Sequence, residues 1–399
     1  MIDYQVYHRR GLSVNIEGDE KKLRLRAHGP LAVFTSPILN KINRMLESEK
    51  PIAVKKDAVI FSTWLPPIPS GSFKRLIDAE IDIALHHKYV PQAVSLNAFK
   101  QCSYSCENCN MVRSPGPELS TEELKGFIDQ VVDLGAVTIG FSEGDPLTRE
   151  DIVDLVRYVD KNKAIASIFT PGAMLTESQA ENLKRAGLYA VIIGFCSPIP
   201  DEHDAARGVK GAFSMATKSI KNALDAGLYV SIHTHANPRM IAEKKLDGLY
   251  DLASQLNVHE FTIWEAIPSW GYRDKDDLML NKAQRDYILE MRRKLNKMPA
   301  GPRIFSMSFF EGPDFLGCMA GRRWLNLVDS GDLTPCIYTP ISFGNIKNEK
   351  VADIWKKMRE NPLYRRSEKS CMMLNPEFRS KFIKKIPYNA KLPVPLETL

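Results

Sequence analysis

Residues 93–109 read AVSLNAFKQCSYSCENC, an apolar run followed at once by a loop that holds three cysteines. The run Ala93–Ala98 predicts a buried strand. Five similar runs follow, with helical segments between them: Val137–Phe141, Ile165–Phe169, Ala190–Ile193, Tyr229–Thr234 and Phe261–Glu265. Strands that alternate with helices indicate parallel βαβ units. The predicted fold class is therefore α/β, with six parallel strands, too few for a closed eight-stranded barrel.

Helix ends can also be predicted in this alternating part of the chain. Ser120 with Glu123 and Thr176 with Gln179 indicate capping boxes, and Gly187 and Gly227 indicate helix ends. In α/β sheets and barrels, ligands bind at the carboxyl ends of the strands. We therefore expect functional residues directly after each strand.

Three regions are predicted. Residues 1–90 form a small α+β region, and residues 91–300 carry the βα alternation. In residues 301–399 the alternation of strands and helices stops, and a hairpin-like stretch occurs at Ser330–Asp332. The N-terminal elements are predicted as strands at Leu12–Ile16, Leu23–Arg26 and Ala58–Phe61, helices at Ile38–Leu46 and Phe73–His87, and a proline-rich irregular stretch at Trp64–Pro69.

Composition excludes several classes of protein. Of 399 residues, 44% are hydrophobic and 26% charged, and the net charge of +6 is spread without a run of like charges, so no nucleic-acid partner is expected. Met1–Asn15 is polar and no stretch of about eighteen apolar residues occurs, so we expect a cytoplasmic protein without a transmembrane segment. Seven clustered cysteines favour metal ligation in a reducing compartment over a disulfide framework.

Cys102, Cys106 and Cys109 have the spacing C-x3-C-x2-C in the loop after the first predicted strand. Three thiolates so placed can bind three irons of a [4Fe–4S] cluster and leave the fourth iron open. A structural zinc ion would need a fourth ligand nearby, and the next cysteine is Cys196, 87 residues on. Three inert buried cysteines are the remaining alternative.

The triplet resembles the signature of the radical S-adenosylmethionine (SAM) superfamily, which follows the first strand of a partial (β/α)6 TIM-like barrel. The resemblance implies that these three cysteines bind the cluster and that SAM chelates its open iron. Reductive cleavage of SAM would then give methionine and a 5′-deoxyadenosyl radical that takes hydrogen from a substrate. At the position of Asn108 the family usually carries an aromatic residue.

Further segments resemble the SAM pocket of this family. Glu143-Gly144-Asp145-Pro146, after the second strand, is similar to the G-G-E-P segment that grips the SAM amino group. Thr170-Pro171-Gly172 resembles the T-N-G turn. Gly194 stands where relatives carry a serine near the ribose, and Cys196 where they carry an acid. Arg207 could pair with the SAM carboxylate or form a structural salt bridge. Cys196 is more typical of a small buried residue.

Three residues at the ends of the last two predicted strands are candidate catalytic or substrate-binding groups. His233 and His235 lie two positions apart, so a strand places them on one face, where they could contact SAM or substrate or act as acid and base. Structural histidines with satisfied hydrogen bonds are the alternative. Glu265 ends the sixth strand and is a candidate substrate contact.

The C-terminal cysteines resemble the twitch and SPASM extensions of radical SAM enzymes. Cys318 and Cys336 form C-x17-C around the predicted hairpin, followed by Gly344-Asn345-Ile346, Ile354-Trp355 and finally Cys371. The resemblance implies a second iron–sulfur cluster, of the [4Fe–4S] type, with an open iron or a ligand other than cysteine. A zinc knuckle is the alternative.

The leading functional hypothesis is a radical SAM enzyme, whether oxidoreductase, transferase or lyase, that acts on a small organic metabolite, cofactor precursor or lipid. Its expected electron donor is a flavodoxin or ferredoxin. A maturase that modifies a peptide or protein side chain is the alternative. A non-enzymatic iron–sulfur electron carrier would leave the βα alternation unexplained, and a cobalamin-dependent methylase would need a B12-binding region that the sequence does not offer.

Overall fold

The computed structural model describes residues 2–19, 23–106, 109 and 117–399. Asn108, where the family pattern predicts an aromatic residue, lies outside these residues. No helix in the described ranges combines the length and the apolar character needed to cross a bilayer.

The N-terminal region has its own small sheet and core. An antiparallel sheet and a two-stranded ladder are flanked by two helices: β1 (Ile2–Arg9), β2 (Leu12–Gly18), β3 (Leu23–His28), α1 (Ala32–Ser48), β4 (Ala53–Val54), β5 (Val59–Ile60) and α2 (Gly71–His86). Alternation in β3 buries Leu23 and Leu25 and exposes Arg24 and Arg26. The predicted α+β character and all five predicted elements are confirmed.

The large sheet carries the six predicted strands within one or two residues of their predicted bounds. These are β6 (Ala93–Asn97), β7 (Thr138–Phe141), β8 (Ile165–Thr170), β9 (Ala190–Gly194), β10 (Tyr229–Ala236) and β11 (Glu260–Glu265). Each strand pairs in parallel with its neighbour in the chain, so the sequence order is the spatial order. The α/β partial barrel is confirmed.

Helices cover the outside of this sheet. In chain order they are α3 (Thr121–Leu134), α4 (Ile152–Tyr158), α5 (Glu177–Arg185), α6 (Pro200–Arg207), α7 (Ala212–Asp225), α8 (Pro238–Ala242), α9 (Lys245–Gln255), α10 (Lys282–Leu295) and α11 (Met307–Phe310). The capping box of Ser120 and Glu123 is present, and Thr176 accepts the backbone N–H of Gln179.

The sheet continues past residue 300. Three further strands, β12 (Arg303–Ser306), β13 (Trp324–Val328) and β14 (Leu333–Thr334), extend it to the order β12-β11-β10-β9-β8-β7-β6-β13-β14. β12 and β13 are parallel to their neighbours, and β14 returns from β13 as the predicted hairpin. The sequence did not predict β12 and β13, because each is short and follows irregular chain. Within the described chain, β12 and β14 are the sheet edges, so the barrel is open.

The remaining chain packs beside β13 and β14. It comprises β15 (Ile341–Ser342), α12 (Val351–Glu360), α13 (Pro362–Arg365), α14 (Pro376–Phe378) and β16 (Val394–Pro395). Trp355 and Met358 of α12 are buried in the same apolar core as the barrel strands. The C-terminal cysteines are therefore held against the barrel, and the predicted division at residue 300 falls within a continuous core.

Candidate active site and cluster-binding cysteines

A cavity of about 670 Å³ opens at the carboxyl ends of the barrel strands and extends inside the sheet to Thr63 and Trp64. This volume lies in the range of small-molecule sites, about 300–1,000 Å³. Most of the predicted site residues line it: Cys102, Cys106, Cys109, Glu143, Gly144, Thr170, Gly194, Arg207, His233 and His235. Asp145, Pro146 and Glu265 do not line it. The structure therefore gathers residues from five strand ends around one space.

Two neighbouring segments brace the cysteine loop. The Asp145 N–H donates to the carbonyl of Gln101 at 2.7 Å, and Gly144 packs so closely that an added Cβ would lie 2.4 Å from the Phe99 carbonyl oxygen. On the other side, a Cβ on Gly208 would meet the Ser105 carbonyl oxygen at 2.7 Å. Glycine is required at both positions, since each also has a positive φ.

Arg207 reaches from the end of α6 to the cysteine loop. Its Nη2 donates to the Gly194 carbonyl at 2.6 Å, and its Nη1 lies 3.5 Å from the Cys106 sulfur. A Cβ at Gly194 would lie 2.5 Å from that Nη2, so this glycine makes room for the guanidinium. Among the described residues Arg207 forms no ion pair, and its contacts are the Gly194 carbonyl and the Cys106 sulfur.

Asp145 is a buried positioning group. Its Oδ1 accepts the Thr170 hydroxyl at 2.9 Å and the Leu147 N–H at 3.2 Å. Burial raises the pKa of Asp145 to about 6. The side chain therefore ties the turn after β7 to the end of β8 and does not face the cavity itself.

Glu143 faces the cavity from a left-handed backbone conformation, with φ of 62°. Burial, and then the negative charge of Asp329, raise the pKa of Glu143 to about 8. A cation bound beside this carboxyl would favour its ionised form.

His233 and His235 share one face of β10, as predicted, with ring centroids 4.6 Å apart. Desolvation inside the cavity and then Arg207 lower the pKa of His235 to about 4. Burial, and then His235 and Arg207, lower the pKa of His233 well below the ordinary value. Both rings are therefore neutral near pH 7. Neutral imidazoles at the cavity wall can donate or accept hydrogen bonds.

Glu265 points away from the cavity. Its carboxylate pairs with Arg285 at 2.7 Å and accepts the Ser308 hydroxyl at 2.7 Å. The neighbouring Trp264 takes the cavity face instead. Since every residue of β11 is buried, the sequence pattern could not tell which face looks inward.

Several polar atoms of the cavity wall have no hydrogen-bond partner within the described residues. They are Asn97 Nδ2, Tyr104 OH, Ser167 Oγ, Arg207 Nε, His233 Nε2, Trp264 Nε1, Ser269 Oγ and Tyr338 OH. Buried polar atoms in native proteins are nearly always paired. The donor set therefore fits a polar ligand such as SAM, which carries a carboxylate, a ribose and an adenine.

Aromatic rings form a second part of the wall, which the sequence did not predict. Trp64 stacks on Phe305 at 4.8 Å between ring centroids and lies 5.6 Å from Trp264. Trp324 and Tyr338 contact Trp264 from the other side, at 5.8 and 6.1 Å. Trp64 comes from the proline-rich stretch of the N-terminal region, so no local pattern could place it here.

The three C-terminal cysteines are buried together beside the cavity. The Cys318 sulfur accepts hydrogen bonds from the backbone N–H groups of Ala320 and Met372 and from the thiol of Cys371. The Cys336 sulfur lies 3.4 Å from the Thr339 hydroxyl, and the next two residues, Ile337 and Tyr338, line the cavity. Thiols held by backbone N–H groups are typical of iron–sulfur ligands. Among the described residues, no three His, Cys, Asp or Glu side chains converge on the position of a single metal ion.

Comparison with known families agrees with this geometry. Residues 96–253 match the radical SAM superfamily, and residues 318–374 match SPASM, an iron–sulfur cluster-binding domain. Each match contains one cysteine triplet in full.

Named relatives cover most of the chain. The AdoMet-dependent heme synthase of Nitratidesulfovibrio vulgaris is 26% identical over 67% of this chain and 80% of its own. The PqqA peptide cyclase of Granulibacter bethesdensis is 25% identical over 64% of this chain and 70% of its own. Among solved structures, Streptococcus suis SuiB bound to S-adenosylmethionine has a TM-score of 0.56 at 16% identity, over 73% of this chain and 71% of its own, which shows the shared fold. The chain therefore belongs to the radical SAM superfamily of enzymes and carries a SPASM domain, and its cofactors are SAM, the SAM-binding [4Fe–4S] cluster and a second iron–sulfur cluster.

Proposed function

We propose that Cys102, Cys106 and Cys109 bind the SAM-binding cluster and that SAM fills the adjoining half of the cavity. The substrate, a small organic molecule with an apolar or planar face, binds against the aromatic half. The observation that carries this proposal is the shared cavity, because it joins the cysteine loop to unpaired polar atoms on one side and to aromatic rings on the other.

Each part of the wall has a role in this proposal. Glu143 and the backbone at Gly144 receive the ammonium group of SAM, since a cation beside Glu143 relieves the cost of its buried charge. Arg207 keeps Nε free for an acceptor on SAM while its other nitrogens hold Gly194 and Cys106. Asp145 fixes Thr170 at the cavity edge. When bound, the cluster would pass on one electron from a flavodoxin or ferredoxin, the electron that cleavage of SAM to methionine and the 5′-deoxyadenosyl radical requires.

The neutral histidines His233 and His235 lie between the two halves, beside Phe169 and Trp264. There they would orient the substrate by hydrogen bonds, or take a proton from it after hydrogen abstraction. The aromatic rings exclude water from the radical, which protects it from side reactions.

The experiment is anaerobic reconstitution with iron and sulfide, followed by SAM and dithionite. We expect 5′-deoxyadenosine from the wild-type chain. An intact cluster without 5′-deoxyadenosine would overturn the proposal.

A peptide substrate is the second candidate, favoured by the PqqA peptide cyclase among the relatives. The two candidates can be distinguished by adding a cell extract to the assay, with and without prior protease treatment, and measuring 5′-deoxyadenosine. A low-mass, protease-resistant fraction that stimulates 5′-deoxyadenosine formation supports the small molecule. Stimulation that the protease abolishes supports the peptide.

A further inference from the structure

Glu311 is a buried carboxylate that pairs with no cationic side chain among the described residues. It follows α11 directly and is 5% exposed. The other deeply buried glutamates of the large core each pair with arginine: Glu49 with Arg292 and Arg303, Glu80 with Arg323, Glu260 with Arg303, and Glu265 with Arg285. Of the ion pairs in the described residues, none includes Glu311. An ionised carboxylate buried without a partner is costly, so Glu311 is stable here with a proton or with a metal ion at its free oxygen.

The neighbours of Glu311 are the C-terminal cysteines. Its carboxylate lies beside the thiol of Cys371 and within electrostatic reach of Cys318. Its one backbone partner is the Met319 N–H, at 3.1 Å from Oε1. A carboxylate has about four acceptor positions, so one N–H bond leaves room for a metal.

We propose that Glu311 is the fourth protein ligand of the SPASM cluster, beside Cys318, Cys336 and Cys371. The inference rests on the placement of the second cluster at these cysteines. Three thiolates bind three irons, and the other four cysteines of the chain line the cavity, which these three do not. A carboxylate oxygen is an established ligand for iron. An iron of the cluster would coordinate the free carboxylate oxygen of Glu311 as a Lewis acid, in place of a proton.

A functional consequence follows from four protein ligands. With no open iron, the SPASM cluster does not bind substrate directly. It lies behind Ile337 and Tyr338, which line the cavity, and there it accepts or delivers an electron.

The test uses the full chain with Cys102, Cys106 and Cys109 all changed to Ala, so that only the SPASM cluster remains. In this parent, Glu311→Gln and Glu311→Cys are compared with the control Ser308→Ala. Ser308 lies in the short helix that precedes Glu311, but its hydroxyl donates to Glu265 and not to Glu311. Iron and sulfide are counted, and EPR spectra of the reduced protein are recorded with and without added cyanide.

We expect the parent and Ser308→Ala to bind one cluster whose EPR spectrum is indifferent to cyanide. Glu311→Gln should either lose iron or keep a cluster whose spectrum changes when cyanide is added. Glu311→Cys should restore full iron content with an altered spectrum, which also guards against simple misfolding of the Gln variant.

Two results would overturn the inference, and they are distinguishable. If the parent binds no iron, the placement of the SPASM cluster fails together with this ligand. If the parent binds a cluster but the two Glu311 variants give the spectrum and cyanide response of Ser308→Ala, only the role of Glu311 is rejected.

Discussion

The two ends of the barrel differ in how their charged and polar groups are paired. At the amino end, Glu260 is fully buried and accepts the Ser62 hydroxyl at 2.8 Å, the Thr63 N–H at 2.9 Å and Arg303 at 2.5 Å. Arg303 continues to Glu49 at 2.7 Å, so two carboxylates share one guanidinium between the N-terminal region and the sheet. At the carboxyl end, by contrast, eight cavity-lining side chains keep a polar atom without a partner in the described chain.

This difference separates stability from function in the same barrel. Paired charges at the amino end hold Trp64 as the floor of the cavity, where its Nε1 also donates to Thr262 at 3.3 Å. Unpaired donors and acceptors at the carboxyl end retain their hydrogen-bonding capacity for a ligand. We therefore expect changes at the amino end to alter folding, and changes at the carboxyl end to alter SAM chemistry.

The largest effect is expected at the cysteine loop. Cys106→Ala should reduce 5′-deoxyadenosine formation by roughly 10⁵-fold, equivalent to about 7 kcal/mol, because the cluster loses a ligand. Unfolding by urea should change little, and the SPASM iron should remain. Cys196→Ala is the control, since this thiol lines the same cavity outside the triplet. Equal activity of the Cys106 variant and the wild type would show that the loop does not bind the SAM-binding cluster.

Glu260→Gln should disrupt the buried ion pairs at the amino end of the barrel. The change leaves two buried guanidinium groups, Arg303 and Arg292, to share the carboxylate of Glu49, and we expect a loss of about 4 kcal/mol in the free energy of unfolding. Glu290→Gln, in an exposed pair with Arg293, should cost less than about 1 kcal/mol. Urea denaturation of both variants measures the difference. Similar small losses would mean that the amino end is not a stability element.

His203, at the carboxyl end, is expected to make the stability of the protein depend on pH. The ring is fully buried behind the carboxyl end and accepts the Cys196 N–H at 3.2 Å through Nδ1. Burial and then Arg207 lower the pKa of His203 to about 4. Protonation therefore favours the unfolded chain, where the pKa is about 6.5.

The contribution of neutral His203 is present above pH 6.5 and is lost as pH falls through about 4, with a total of about 3 kcal/mol. His203→Gln keeps an acceptor but cannot titrate. The stability difference between wild type and variant should shrink or change sign between pH 7 and pH 4 in urea titrations. A difference that is constant over this range would contradict the assignment.

Gly144→Ala is expected to have the smallest effect. The added Cβ would approach the Phe99 carbonyl oxygen at a φ of 63°, so the turn must shift against the cysteine loop, at a cost of about 2 kcal/mol. We expect a higher KM for SAM and a lower free energy of unfolding. Gly126→Ala, in the interior of α3 with nothing within 4 Å, should instead add up to about 1 kcal/mol of stability. An unchanged KM for SAM in the Gly144 variant would show that this turn does not contribute to SAM binding.

Much of the fold could be predicted from local sequence. The six strands β6–β11 were found because each is a short apolar run between capped helices, and the cysteine loop was placed because it follows β6 directly. The shared face of His233 and His235 followed from the period of a strand.

What could not be predicted depends on long-range contacts. Ser62 and Glu260 lie 198 positions apart, so the floor formed by Trp64 has no local signal. The inward face of β11 was hidden because both faces are buried, which misplaced Glu265. Gly194 could be explained only when Arg207 was found in the space that a side chain would fill. The predicted cytoplasmic location remains a prediction.

The central claim is that the thiols of Cys102, Cys106 and Cys109 hold a cluster with one iron open to SAM. The most direct measurement is pulsed EPR on the reduced protein with SAM that carries ¹⁵N in its amino group. We predict a nitrogen coupling that appears with labelled SAM and disappears in Cys106→Ala. A cluster without nitrogen coupling, or metal analysis that finds a single zinc ion at this loop, would contradict the account.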